Sequence, residues 1–302
     1  MAISKVRFIF VALVAIMLLM TACGSNAANS NSPTTLQVLQ KSAAAMKHLQ
    51  SAHIDIQLTG TTSSASTTPA TTPSAASQTT IHLTGSGDEV LPDKFALHIA
   101  VGQAGQGASN TNLAEIILGR QLFIQNATGQ WYVLRGGRVQ GSSSNPFAGT
   151  TISNYNSLLT LAQQAHISDH GDQPLNGQQL RHLTVTFGED ALKALLTATG
   201  QISPQQDSSK LLSEITLQQS TLDLWIDEAT SYVHRLQLQL HLTLKADSAP
   251  NSGTPATAPA PVLTGVDTLI DYSKFNVPIT ISAPAAAIPT DNPFSPASRA
   301  TS

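Results

Sequence analysis

Val233-His234-Arg235-Leu236-Gln237-Leu238-Gln239-Leu240-His241-Leu242-Thr243-Leu244 decides the fold. Leu236, Leu238, Leu240, Leu242 and Leu244 stand at every second position, separated by Gln237, Gln239, His241 and Thr243. A strand sends successive side chains to opposite faces, so a period of two predicts one apolar and one polar face. A face this apolar has to be buried against something.

The same period recurs along the chain. Ile54, Ile56 and Leu58 alternate with His53, Asp55 and Gln57, and it returns in Phe95-Leu97-Ile99-Val101, Leu183-Val185-Phe187 and Leu222-Leu224-Ile226. Gln121 to Gln125 and Trp131 to Leu134 flank the turn-like Asn126-Ala127-Thr128-Gly129-Gln130. Leu222 to Ile226 and Val233 to Leu244 flank Asp227 to Ser231, so both pairs predict antiparallel hairpins. About nine or ten strands are expected in all.

Helical spacing appears in four places. Thr34 or Thr35 can cap a helix with Leu36, Leu39, Ala43, Met46 and Leu49 on one side. Tyr155 to Ala165, Glu189 to Thr199 and Ser208 to Ile215 predict three more. The sum is an α+β chain, one large antiparallel sheet with a few helices over one face. Two segments rich in Ser, Thr, Ala and Pro, residues 61–80 and 246–261, lie between strand-like runs and are expected as disordered loops at hairpin tips. Added loop length costs little stability, because closure entropy grows logarithmically. Residues 285–302 form a Pro/Ala-rich tail expected to be disordered.

The N-terminus has a different character. Lys5 and Arg7 precede the apolar run Phe8 to Met20, and Met20-Thr21-Ala22-Cys23 follows. Small residues ahead of a cysteine predict a lipoprotein signal over residues 1–22, with the Cys23 thiol as the acylation site. The alternative, a transmembrane anchor, needs about 20 apolar residues, and this run is shorter. Residues 23–34 carry too little apolar content to fold and predict a flexible tether. Residues 35–284 then form one domain.

Composition narrows the function. Cys23 is the only cysteine, so acylation leaves no thiol for a disulfide or a cysteine-based metal site. Charged residues make up 11%, and the formal net charge is −3. With no Lys/Arg run, nucleic acid is not an expected partner. Aromatic residues, which bury the most area each, are only 5%. Long aliphatics under a thin helical cover leave two outcomes open. One is an ordinary packed core. The other is an aliphatic-lined hollow, which would stay dry and favour an apolar guest. If the hollow exists, its expected lining is Ile54, Ile56, Leu58, Leu97, Ile99, Leu236, Leu238, Leu240 and Leu242. A slip of one residue would turn each of these outward.

No catalytic or metal motif emerges. Nine histidines are scattered, with His53, His82, His98 and His241 at polar strand positions and His166 and His170 expected in loops near Asp169 and Asp172. Neither H-E-x-x-H nor G-x-S-x-G is present. Glu189-Asp190 open a predicted helix and Asp227-Glu228 sit in a turn, both ordinary places for carboxylates. The sequence predicts no enzyme and no cofactor, although a convergent Ser/His/acid group would be invisible to it.

Several segments resemble one family in order. They are Ala45-Met46-Lys47-His48-Leu49-Gln50-Ser51-Ala52-His53-Ile54, Gly119 to Ile124 with Trp131-Tyr132, Leu224-Trp225-Ile226-Asp227-Glu228-Ala229-Thr230, and Tyr272-Ser273 through Pro284. Together with the lipobox they resemble the LppX/LprG-type mycobacterial lipid-carrier lipoproteins, related in fold to the LolA/LolB carriers. The resemblance implies a half-barrel wrapped around helices on its concave face, and a cavity for the acyl chains of lipids or glycolipids. It also implies a place on the outer face of the cell membrane, with an envelope transporter as a candidate partner. A monomer is expected. The bland alternative is an envelope scaffold or sensor with a solid core that binds a protein.

Overall fold

The computed structural model describes residues 34–64, 77–103, 111–135, 165–190, 215–244 and 262–290. Thr34 opens helix α1 (Thr35–Lys47) with a reciprocal cap. Its hydroxyl accepts from the Gln37 N–H at 3.3 Å, and its own N–H donates to Gln37 Oε1 at 2.9 Å. The inward stripe is Val38, Leu39, Ser42, Ala43 and Met46, so Val38 joins the expected set and Leu36 lies at its margin.

Twelve strands follow: β1 (Ser51–Ser64), β2 (Ser77–Val90), β3 (Lys94–Gln103), β4 (Thr111–Leu118), β5 (Gln121–Gln125), β6 (Trp131–Leu134), β7 (His166–Leu175), β8 (Gln178–Thr186), β9 (Ile215–Ile226), β10 (Val233–Leu244), β11 (Val262–Ser273) and β12 (Ile288–Thr290). They form one open, curved sheet in the order β12-β6-β5-β4-β3-β2-β1-β11-β10-β9-β8-β7. The first and last long segments meet at its centre, where β1 pairs with β11. All pairings are antiparallel except β12 beside β6.

The strands run further than composition predicts. Thr61–Ser64 and Ser77–Thr80 stay paired within the Ser/Thr-rich segment, because threonine suits a pleated ladder. Ile288–Thr290 adds a short parallel strand where the sequence predicts only a disordered tail, and Arg135 N–H donates to the Thr290 carbonyl at 2.9 Å. His166 and His170 belong to edge strand β7, not to loops. A bulge between Asp169 and Asp172, with Gly171 at φ +72°, breaks the alternation there and hides the strand from a period-two reading.

Of the three further helices expected, 155–165 and 189–199 lie almost wholly outside the described residues. Of these, Ala165 is seen in a bend, and Glu189 and Asp190 in helical conformation. Most of 208–215 also lies outside, and Ile215 is the first residue of β9. Residues 246–261 are likewise outside.

Curvature has a local cause on β2. Gly85 and Gly87 occupy inward positions opposite Ile56 and Ile54. A Cβ on Gly87 would stand 2.0 Å from the Ala96 carbonyl oxygen. Only a residue without a side chain lets β2 and β3 close this tightly.

Candidate functional site

Register builds an apolar wall from the strands upward. One inward row runs Ile99, Gly85, Ile56, Ile270, Leu236, Leu224 and Leu183 across seven strands. The next runs Leu83, Leu58, Thr268, Leu238, Leu222 and Val185. Each strand contributes every second residue, so one alternating sequence per strand yields a continuous two-dimensional surface.

All nine residues predicted to line the interior face this side and belong to one hydrophobic cluster. Each is covered, from 0% exposure at Ile54, Leu236 and Leu240 to 7% at Ile99. Among the described residues α1 is the helix packed on the wall, through Val38, Leu39, Ala43 and Met46. The Met46 sulfur accepts from the Val233 N–H at 3.4 Å. Cys23 lies outside the described residues.

Two clamps hold α1. At its start, Thr35 Oγ1 donates to Asp169 at 3.3 Å, and Arg181 ties Asp169 at 2.6 Å to Glu228 at 2.8 Å. Partial burial raises the Asp169 carboxyl, but Arg181, the Gly171 N–H and Thr35 outweigh it and hold the group below its ordinary value. At the other end, Asn276 accepts from the Gln50 N–H at 2.8 Å, gives its own N–H to the Ser51 carbonyl at 2.9 Å and reaches the Tyr232 hydroxyl at 2.9 Å. The Tyr272–Pro284 segment thus secures the passage from helix to first strand.

Polar groups break the wall in places that sequence reasoning missed. Thr268 and Ser220 are inward and buried, at 2% and 3% exposure. Among the described residues, their hydroxyls and that of Ser42 on α1 have no hydrogen-bond partner. Glu89 and Glu115 are also buried and inward, opposite Phe95 and Leu97 of β3. In the strings Asp88-Glu89-Val90 and Ala114-Glu115-Ile116, nothing local distinguishes a buried carboxylate from an exposed one.

The outer face carries the other half of the alternation. Ser86, Asp55, Asp271, Arg235, Trp225 and His182 form one row. Arg235 binds Asp271 at 2.6 and 2.7 Å, and Trp225 stacks on His182 at 4.3 Å, which in turn meets His170 at 4.6 Å. Here the fold assembles a Ser/His/acid group that no linear motif announces. Ser86 Oγ lies 3.3 Å from His53 Nε2, and His53 Nδ1 donates to Asp88 at 2.7 Å. Acyl transfer needs free donors aimed at a developing oxyanion. The surrounding strand N–H groups are committed to the β1–β2 and β2–β3 ladders, and Ser86 stands exposed on the outer face. The group is a surface hydrogen-bond network. Among the described residues, no three His, Cys, Asp or Glu side chains are placed to hold a metal ion. No helix among them is long and apolar enough to cross a membrane.

No protein-family model matches the chain, and no curated protein sequence does. Among solved structures it is similar to the lipoprotein LppX of Mycobacterium tuberculosis, at 13% identity and TM-score 0.41, over 84% of this chain and 100% of that one. LprF from Mycobacterium bovis gives 16% identity and TM-score 0.40, over 85% and 100%. A domain described as outer-membrane lipoprotein-sorting, from Vibrio parahaemolyticus, gives 13% and 0.23, over 81% and 93%. Similarity at this level carries neither ligand nor activity across.

Proposed function

We propose that the protein is a lipid-anchored envelope carrier, held to the membrane by Cys23, that takes the acyl chains of lipids or glycolipids against its apolar wall. The observation that carries this reading is the wall itself: largely aliphatic rows over β1–β3 and β8–β11 of an open sheet. Each methylene laid on such a surface is worth about 0.8 kcal/mol, so two acyl chains supply ample binding energy. Because the wall is covered in this state, loading requires the cover to move, and α1 is the element joined directly to the tether. The ordered sequence likeness to carrier lipoproteins points the same way.

The full burial of the wall is the observation that favours the other reading, a solid-cored scaffold or sensor for a protein partner. One experiment separates them. The chain carrying Cys23→Ser, purified without acylation, is extracted with solvent and analysed by mass spectrometry. The carrier releases acyl lipid, and Leu238→Trp lowers the amount several-fold while leaving the circular dichroism unchanged. A folded protein that brings no lipid and binds no fluorescent acyl probe is the scaffold. Palmitate labelling of the wild-type chain, lost in Cys23→Ala, tests the anchor separately.

A further inference from the structure

We infer that the interior selects lipids whose chains are ester-linked, through hydroxyls of Thr268 and Ser220 set into the aliphatic wall. The inference rests on the carrier reading and names the chemistry of its cargo.

Thr268 stands between Leu58 and Leu238, its neighbours on β1 and β10. Ser220 faces Leu240 on the adjacent row. The two are separated by two strand spacings and one row, roughly 12 Å between Cα atoms from strand geometry. Both side chains are nearly inaccessible, and neither hydroxyl meets an acceptor among the described residues. Ser42 brings a third such hydroxyl from the inward side of α1.

Buried polar groups are normally paired, because leaving a donor unpaired forfeits its hydration without replacement. A purely hydrocarbon guest would leave all three unmet. A free fatty acid or other headgroup-first ligand would bring an ionised group into an apolar setting, which costs far more than a neutral acceptor does. A diacyl lipid carries a neutral ester carbonyl at the head of each long chain, and such an acceptor can reach a hydroxyl while the chains lie along the leucine rows. A dialkyl ether of the same length offers the same apolar area with a much poorer acceptor.

The test is displacement of a fluorescent acyl probe from the full chain carrying Cys23→Ser, by 1,2-dioleoylglycerol and by its dialkyl ether analogue. The expected result is tighter binding of the ester by about five- to tenfold for each hydrogen bond made. Thr268→Val with Ser220→Ala should bring the two affinities together without weakening the ether, and Thr268→Ser, which keeps the hydroxyl, should preserve the preference. Equal binding of both lipids by the wild type overturns the ester selection and leaves the carrier reading standing. A preference that survives in the double variant also overturns it, since the hydroxyls are then not its source. Failure of both lipids to displace the probe, or of the probe to bind, removes the carrier reading and this inference together.

Discussion

The two ends of the sheet use the same strands to different effect. From β1 through β8 by way of β11, β10 and β9, buried and less buried residues largely alternate, and the outer face is mostly amides, hydroxyls and paired charges, with Trp225 stacked on His182. Around β4 and β5 both faces carry apolar residues. Leu122 and Ile124 align with the inward Ile117 and Glu115, whereas Phe123 aligns with Ile116 on the opposite face and is itself buried at 5% exposure. The first region behaves as a wall with one dry side. The second behaves as a strand bundle covered on both. A strict period of two makes the former; consecutive apolar runs such as Leu122-Phe123-Ile124 make the latter.

Paired substitutions break this comparison most directly. Phe123→Ala should cost about 3–5 kcal/mol and its neighbour Leu122→Ala about 2–5 kcal/mol, because both sides are packed. In the leucine strand, Leu236→Ala should also cost about 2–5 kcal/mol, while Gln237→Ala stays within about 0.5 kcal/mol. Urea unfolding of the four variants reads this out, and equal losses at Leu236 and Gln237 would erase the distinction. At the junction, Gly87→Ala should cost about 1–3 kcal/mol through overpacking against Ala96, and Gly188→Ala, whose Cβ meets nothing within 4 Å, should be near neutral.

The smallest effects are those of pH, one on β10 within the leucine wall and one on the edge strand β7 beside it. Burial pushes the His234 imidazole below its ordinary value, against the opposing pull of Asp227. The unfolded chain therefore takes up that proton first, so stability present above pH of about 6.5 declines as the pH falls toward the folded value. Urea midpoints at pH 7.5 and 5.5 should differ less in His234→Phe than in the wild type. Asp169 acts in a lower window. Its depressed carboxyl contributes stability above pH of about 3.9 that is lost as the pH falls through the folded value. Asp169→Asn should flatten that acid limb and leave the His234 limb unchanged.

Legibility followed locality. The leucine strand, Ile54-Ile56-Leu58 and the Asn126 and Asp227 turns were readable because their signals are local. Asn126 Oδ1 accepts from the Thr128 and Gln130 N–H groups at 3.0 Å, and Asp227 Oδ1 from the Ala229 N–H at 2.9 Å, as turn residues of this type do. Alternation placed the nine candidate lining residues on one face of their strands, and the packing of the sheet decided that this face turned inward. Strand β7 was obscured by its bulge, and β12 by having only three residues.

What the sequence determined alone was periodicity, caps and turns, each fixed by residues within a few positions of one another. Tertiary structure decided which strands became neighbours, and therefore which isolated polar residues met. The pairing of β1 with β2 brings His53 to Asp88, and the order β1-β11-β10-β9 sets Thr268 and Ser220 among leucines. Such juxtapositions depend on contacts between residues tens to hundreds of positions apart, and no local pattern encodes them.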